Sequence, residues 1–172
     1  MADALFRICC FSSNEIEPQE EILLWSHYAN KHQGIRITFD FDPTINPRYA
    51  LKKIKYSPTR VGLDLRAGDS LRAEQGLTDS WITKATGWAY EREIRLFTSK
   101  KYCKPVVGED GVTRHFVSFE TSKVKSVTFG VNCPTPEIKR ISNLVHEQYP
   151  HATLWQATKH QSEFSITYRP LH

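Results

Sequence analysis

Two segments of the chain place a predicted helix next to a predicted strand, and both carry ionisable side chains where the two elements meet. They are residues 23–41, LLWSHYANKHQGIRITFDF, and residues 84–97, KATGWAYEREIRLF. Their ionisable junction residues are His27, His32, Glu91, Glu93 and Arg95. Catalytic and binding groups are often found at such junctions, because a rigid scaffold can aim them into a cleft. The pattern therefore indicates where a site lies more clearly than which reaction it performs.

The first forty residues predict a strand, a helix and a second strand in succession. Residues 5–12 are apolar with β-branched and aromatic members, which is typical of a strand. Pro18 and the acidic residues near it are typical of a helix start, and a helix is predicted over residues 19–31. Gly34 is expected to end this helix with a positive φ, and the alternating apolar residues of 35–39 predict a half-buried strand.

The rest of the chain is richer in strand patterns than in helix patterns. Two Xaa-Pro pairs at residues 42–43 and 46–47 predict a turn. Helices are predicted over residues 78–86 and 135–148, the second with Thr135 as its N-cap. Strands are predicted over residues 52–57, 93–98, 115–119, 124–131 and 165–168, with a fragment at Val106.

This order of elements favours an α+β fold with a mainly antiparallel, mixed sheet and two to four helices. A chain of 172 residues is long enough for one domain with its own core, so a single domain is predicted over residues 1–172. No apolar run approaches the roughly 20 residues that span a bilayer, and no secretory signal is recognisable. A cytoplasmic location without a membrane partner is therefore expected.

Composition changes the picture in two respects. The net charge of +4 permits an anionic partner, and basic residues concentrate at 52–60 and 99–104, each with a tyrosine that could stack on a base. Nucleic acid is thus a candidate partner, although a solvated loop is the alternative explanation. Four cysteines lack the spacing of a zinc site and are expected to be buried and reduced. They are Cys9, Cys10, Cys103 and Cys133.

The acidic pair Glu91 and Glu93 is the strongest candidate for chemistry. On one strand, residues two apart point to the same face, so the carboxylates would lie side by side. Like charges that close raise one pKa, which provides an acid and a base. Arg95 would hold Glu93 ionised, while Trp88 and Tyr90 would offer flat surfaces to a ring. An exposed strand face with a Glu–Arg pair is the alternative.

The first segment adds His27 and His32, which are five residues apart and so do not share a helix face as a zinc-binding pair would. No metal site is predicted, and one histidine could act as an acid or base or donate to a phosphate. The chain contains no GxSxG, Walker-type or GxGxxG sequence. These absences argue against a serine hydrolase, a P-loop ATPase and a Rossmann dehydrogenase.

Three blocks of the sequence resemble the DUF2971 family of prokaryotic and phage-associated proteins, whose activity is not settled. The blocks are CFS at Cys10–Ser12, the segment 23–41, and the run K-x3-W-x-Y-E-x-E-x-R formed by Lys84, Trp88, Tyr90, Glu91, Glu93 and Arg95. The resemblance extends over about residues 5–131. Typical members carry a further strand, helix and Asn-Asp-Pro segment ahead of the CFS block, so groups from that part are expected to be missing or replaced.

A second, distant resemblance is to ADP-ribosyltransferase folds, in the order of a polar strand, a helix with a tyrosine, and a glutamate at the start of a strand. It implies NAD as the cofactor, Tyr28 as the aromatic residue that holds it, and Glu93 as the catalytic glutamate with Glu91 as its companion. The sequence contains no cofactor motif of its own that would support NAD. This resemblance is at the level of fold.

Three functions are compatible with these observations. The first is a nucleotide enzyme that transfers or hydrolyses ADP-ribose, with Glu93 and Glu91 as catalytic residues. Its predicted ligand-binding residues are Trp25, His27, Tyr28, Lys84, Trp88, Tyr90 and Arg95. The second is a non-catalytic module of phage–host conflict that binds a ligand or a protein partner. The third is a nucleic-acid-binding protein that uses the basic segments at 52–60 and 99–104.

Overall fold

The chain folds into two compact units. The computed structural model describes residues 6–40, 48–62 and 70–171, with residues 70–75 described in their backbone alone. Residues 1–16 and 43–117 are assigned to the first unit, and residues 17–42 and 118–172 to the second. Each unit takes in two separate stretches of the chain, so contacts distant in sequence build both of them.

The first unit contains a three-stranded antiparallel sheet, two short strand pairs and one α-helix. The sheet has the order β1 (Phe6–Ser12), β6 (Glu93–Ser99), β3 (Tyr49–Lys53). The other elements are β4 (Lys55–Ser57), α2 (Ser70–Trp81), β5 (Thr83–Ala85), β7 (Lys104–Val107), β8 (Thr113–Phe116) and the 3₁₀-helices Thr86–Glu91 and Lys100–Tyr102. Strands β4 and β5 pair in parallel, and β7 and β8 form an antiparallel pair.

The second unit is a four-stranded sheet with two α-helices. Its elements are α1 (Pro18–Tyr28), β2 (Ile35–Phe39), the 3₁₀-helix Thr121–Lys123, β9 (Val124–Phe129), α3 (Thr135–Gln148), β10 (Thr153–Lys159) and β11 (Ile166–Leu171). The strand order is β11-β10-β9-β2, in which β9 and β10 run parallel and the other pairs antiparallel. Helix α3 forms the crossover that parallel neighbours require.

The second unit buries apolar side chains on both faces of its sheet. Leu154 of β10 packs with Val127, Phe129 and Val145 of α3. Ala157, three residues further along β10 and therefore on the opposite face, packs with Trp25, Ala29 and Ile166. Central strand β10 thus contributes to two cores, one under each helix.

The link from α1 to β2 has a left-handed backbone over three consecutive non-glycine residues. Asn30, Lys31 and His32 have φ values of 46°, 54° and 67°. The prediction that Gly34 supplies the positive φ is therefore wrong. Gly34 is needed for space instead, because a Cβ there would lie 3.1 Å from the Ala29 Cα. The same tight turn places the His32 backbone carbonyl close to Gly130. A Cβ atom added at Gly130 would lie only 2.2 Å from the His32 carbonyl oxygen.

The α+β class and most predicted elements are confirmed, including α3 over residues 135–148, although Pro134 rather than Thr135 is its N-cap. The helix predicted over residues 78–86 is wrong beyond Trp81, because residues 83–85 pair with β4 instead. Strand β10 was missed, since its Gln156 interrupts the apolar pattern. The turn predicted from the Xaa-Pro pairs lies outside the described residues.

The four cysteines are free thiols, as predicted, but the prediction that they are buried is wrong. Cys9 and Cys10 are exposed on β1, and Cys103 and Cys133 are partly exposed. No helix in the described part of the chain combines the length and apolarity needed to cross a membrane.

Gly130→Ala tests the close approach of the α1–β2 link to β9. We expect the free energy of unfolding to fall by more than about 2 kcal/mol, because the new methyl group would meet a backbone carbonyl that cannot rotate away. Urea unfolding monitored by circular dichroism measures this loss. The matched control is Gly62→Ala, where a Cβ has nothing within 4 Å. Equal stabilities for the two variants would contradict this account of Gly130.

Candidate functional site

The start of β6 gathers charged side chains from three elements of the first unit. The Glu93 carboxylate accepts hydrogen bonds from Arg95 Nε at 2.7 Å and from Lys84 Nζ of β5 at 3.2 Å. The Cys10 thiol of β1 also donates to it, in keeping with the pairing of Cys10 and Arg95 across the sheet. We refer to Cys10, Lys84, Glu91, Glu93 and Arg95 as the Glu93 cluster.

Lys84 links the two carboxylates. Its Nζ donates to Glu91 as well as to Glu93, and the residues Glu91 and Glu93 are 3% and 6% exposed. Tyr56 of β4 lies beside Lys84 in the strand pair, and its hydroxyl oxygen accepts the Glu93 backbone N–H at 2.9 Å. One lysine and one arginine thus compensate the two buried carboxylates. Buried charges require such partners, because an unpaired charge is costly to remove from water.

The sequence predicted that the two glutamates lie on one strand, and this prediction is wrong. Glu91 ends the 3₁₀-helix Thr86–Glu91, and Glu93 is the first residue of β6. Arg92 between them has φ 45° and ψ 45°, a left-handed conformation that costs energy in a non-glycine residue. This reversal, rather than strand alternation, is what brings both carboxylates to Lys84.

Glu93 is held in its ionised form. Burial by itself raises the pKa of Glu93, but hydrogen bonds from Arg95, Cys10 and Lys84 outweigh it and lower the pKa to about 2. Burial and the adjacent carboxylate raise the pKa of Cys10 to about 11, so this thiol stays protonated at neutral pH. Glu93 therefore serves as a permanent anion at neutral pH and not as a proton donor.

A cavity of about 200 Å³ adjoins the cluster, and Glu93 forms part of its wall. The other lining residues are Ser13, Glu15, Lys53, Ile54, Tyr56 and Arg92. Lys53 and Glu15 form an exposed ion pair at 3.2 Å. The cavity wall therefore combines an aromatic residue, two acidic residues and two basic residues.

Trp88 and Tyr90 lie beside the cluster, as the sequence predicted. Their ring centroids are 6.0 Å apart, and Lys84 Nζ lies 4.9 Å from the Trp88 ring centroid. The residue Trp88 is 41% exposed, so part of its ring is accessible to a ligand. Arg95 also donates to the carbonyl of Trp81 at the end of α2. The structure thus brings together five of the predicted ligand-binding and catalytic residues around Glu93.

The remaining predicted site residues belong to the second unit. Trp25 is 4% exposed and packs in the core under α1, whereas Tyr28 is 64% exposed at the end of that helix. The rings of His27 and Tyr28 meet edge to face at 6.3 Å. Their predicted roles in ligand binding, and the pairing of Tyr28 with Glu93 in one site, stay predictions.

Sequence reasoning missed a second polar group beside Trp25. Glu21 accepts hydrogen bonds from Arg36 at 2.8 Å and from the Tyr168 hydroxyl, and the Arg36 Cζ lies 4.6 Å from the Tyr168 ring centroid. Burial, and then Glu21, raises the pKa of Tyr168 to about 12. Arg36 and Tyr168 are 132 positions apart, so no local pattern could have joined them.

Within the first unit, the sequence did not predict Cys10, Tyr56 or Arg92. The Glu-x-Glu-x-Arg run indicated Glu93 and Arg95, but strand pairing supplies Cys10 and Tyr56. Among the described residues, no group of three or more His, Cys, Asp or Glu side chains is placed to hold a metal ion. The ion pairs and the cavity lining show the cluster to be an ion network that adjoins a cavity.

Glu93→Gln tests the buried network. The pKa of Glu93 is lowered from 4.5 to about 2 on folding, so its stabilising contribution is complete above pH 4.5 and is lost as the pH falls towards 2. We expect the variant to lose about 3 kcal/mol at pH 7, because two cations lose their buried partner. Urea unfolding at several pH values should show this difference shrinking below pH 4.5.

Glu15→Gln is the matched control for that series. Its exposed pair with Lys53 is worth at most about 1 kcal/mol, so its removal should cost much less stability at pH 7 than the removal of Glu93. Equal losses in the two variants, or a Glu93→Gln effect that persists at pH 2, would show that the network is not the source of the stability.

Comparison with known protein families gives a match to part of the chain. The model of a family described as protein of unknown function (DUF2971) matches residues 24–96. This range includes most of segment 23–41 and the whole run from Lys84 to Arg95, but it is narrower than the predicted resemblance and excludes the CFS block. No curated protein and no solved structure matches the chain significantly. Over residues 24–96, the chain is similar to the DUF2971 family.

Proposed function

We propose that the protein is a nucleotide-binding enzyme that transfers or hydrolyses the ADP-ribosyl group of NAD at the Glu93 cluster. The observation that carries this proposal is a permanently ionised, buried glutamate in the wall of a cavity of about 200 Å³. The predicted resemblance to ADP-ribosyltransferases points to the same residue. The proposal concerns residues of the first unit.

The chemistry favours an anion at this position. When the bond between ribose and nicotinamide breaks, its electron pair leaves with nicotinamide and positive charge develops on the ribose. A preorganised carboxylate stabilises that charge in a site that excludes water. Water or another acceptor then forms a bond to the ribose carbon, and its proton passes to Glu91. A glutamate with a pKa of about 2 is ionised at neutral pH, so it can stabilise this positive charge but cannot act as a proton donor.

The size and charge of the cavity limit what it would hold. Clefts that enclose a drug-sized ligand are about 300–1,000 Å³, so this one would take a single ring or sugar rather than a whole dinucleotide. Lys84 and Arg95 are engaged with carboxylates. We assign the pyrophosphate to Lys53 and Arg92 because both line the cavity, where a phosphate would compete with Glu15 for Lys53 in their exposed ion pair. A ring of the ligand is assigned to the exposed face of Trp88.

A non-catalytic ligand- or protein-binding module, of the kind used in phage–host conflict, is the second candidate. It is favoured by the three donors that already occupy the Glu93 carboxylate and by the 6% exposure of this residue. Ion networks that serve only structure shift pKa values in the same way. The two candidates differ in turnover rather than in binding.

Thermal unfolding with and without ADP-ribose and NAD tests the proposal. A ligand at 100 times its Kd stabilises the native state by about 2.7 kcal/mol, which raises the Tm of a protein of this size by about 5–10 °C. We expect such a shift, weakened in Tyr56→Phe and Glu93→Gln and unchanged in Glu137→Gln of the second unit. Chromatographic detection of free nicotinamide measures turnover, which Glu93→Gln should reduce at least 100-fold.

Each result has a distinct meaning. A Tm shift together with nicotinamide release supports the enzyme, and a shift without release supports the binding module. Tyr56→Phe keeps every charge of the cluster, so it reports on the cavity even if Glu93→Gln is too unstable to study. The absence of a shift with any nucleotide at millimolar concentration would show that the proposal is wrong.

A further inference from the structure

The first unit carries basic and aromatic side chains at the end of its sheet that lies away from Glu93. Strand β6 begins at Glu93 and ends at Ser99, which places its two ends about 20 Å apart at 3.3 Å per residue. The 3₁₀-helix Lys100–Tyr102 and the β7–β8 pair follow directly. We refer to Lys101, Tyr102, Lys104 and Phe116 as the basic surface.

The pairing of β7 with β8 determines which side chains share a face. Lys104 pairs with Phe116, and Val106 pairs with Arg114, so these four side chains lie on one face. His115 lies on the other face, where its Nε2 is 3.4 Å from Arg7 Nη2 of β1. The Lys104–Phe116 face therefore points away from β1. Phe116 is 51% exposed and Val106 is 42% exposed.

Several basic side chains lie at this end of the sheet, where Arg114 is paired with Asp110 at 2.6 Å. Among the residues that the structure describes, neither Lys101 nor Lys104 forms an ion pair with a carboxylate. Tyr102 has Lys101 Nζ at 4.7 Å and Arg48 Cζ at 5.3 Å from its ring centroid.

The other basic segment is less suited to an anionic partner. In residues 52–60, Lys53 pairs with Glu15 at 3.2 Å and Lys55 pairs with Asp79 at 3.8 Å. Two of the three lysines in segment 52–60 are thus paired with acids, whereas Lys101 and Lys104 of segment 99–104 have no acidic partner among the described residues.

We propose that the basic surface binds single-stranded nucleic acid, with Lys101 and Lys104 on backbone phosphates and Phe116 stacked on a base. Single-strand binders combine cations that follow the backbone with exposed rings on which bases stack. Lys104 and Phe116 are directly opposite each other on β7 and β8, so they provide a cation and an exposed ring side by side. In a duplex the bases are already stacked on one another, so Phe116 would have no base face to contact. This surface is separate from the proposed nucleotide site and does not depend on it.

Neutralising the two lysines tests the phosphate contacts. Fluorescence anisotropy of a fluorescein-labelled 20-nucleotide oligothymidine measures affinity between 50 and 200 mM salt. We expect Lys101→Gln with Lys104→Gln to weaken binding about 10-fold or more at low salt and to reduce the log–log salt slope by about 1.4, at about 0.7 per phosphate. The control, Lys125→Gln with Lys139→Gln in the second unit, makes the same change in net charge.

Phe116→Ala tests the stacking contact. We expect it to weaken oligothymidine binding about 10-fold with an unchanged salt slope, because a ring contact releases no counterions. The control is Phe164→Ala in the second unit, a phenylalanine that is 94% exposed. Circular dichroism would check that both variants keep the fold.

Three outcomes would overturn the proposal. The first is no binding of oligothymidine at 50 mM salt. The second is an equal loss of affinity in the two double-lysine variants, which would show that net charge alone attracts the oligonucleotide. The third is binding to a duplex of the same length that is as tight as binding to the single strand.

Discussion

The ionised Glu93 carboxylate is the group on which the architecture of the first unit depends. Its partners come from β1, β5 and β6, so one buried anion holds together elements that are distant in sequence. The carboxylate is costly to bury, and its hydrogen bonds and opposite charges offset that cost. Arg92 adds local backbone strain, and Lys84 requires β5 to lie against β4. The residues that compensate Glu93 thus also fix the local fold.

The same network limits the chemistry of the site. A carboxylate with three donors keeps its charge across the physiological pH range, and the adjacent Cys10 thiol stays neutral because its own pKa is raised. Neither group can exchange protons readily at neutral pH. Reactions that develop positive charge near Glu93 fit this environment, whereas acid–base reactions that require Glu93 to cycle between its two forms do not.

The two segments that the sequence indicated lie in different compact units. Segment 84–97 builds the Glu93 cluster of the first unit, and segment 23–41 belongs to the second. In the second unit Trp25 serves the core, while Glu21, Arg36 and Tyr168 form a polar group of their own. The family similarity over residues 24–96 covers parts of both units, so it does not favour one of them as the site.

The sequence by itself determined the α+β class, helix α3 and the placement of Glu93 beside Arg95, because these follow from short-range periodicity and turn chemistry. It could not determine that Glu91 leaves the strand, since the left-handed Arg92 is not a residue type that favours this conformation. Strand β10 was missed because Gln156 breaks its apolar run, although tertiary packing satisfies this amide with the carbonyl of Gly130. Cys10 and Tyr56 reach Glu93 only through strand pairing. Contacts of that kind depend on which strands become neighbours, and the tertiary structure alone decides this.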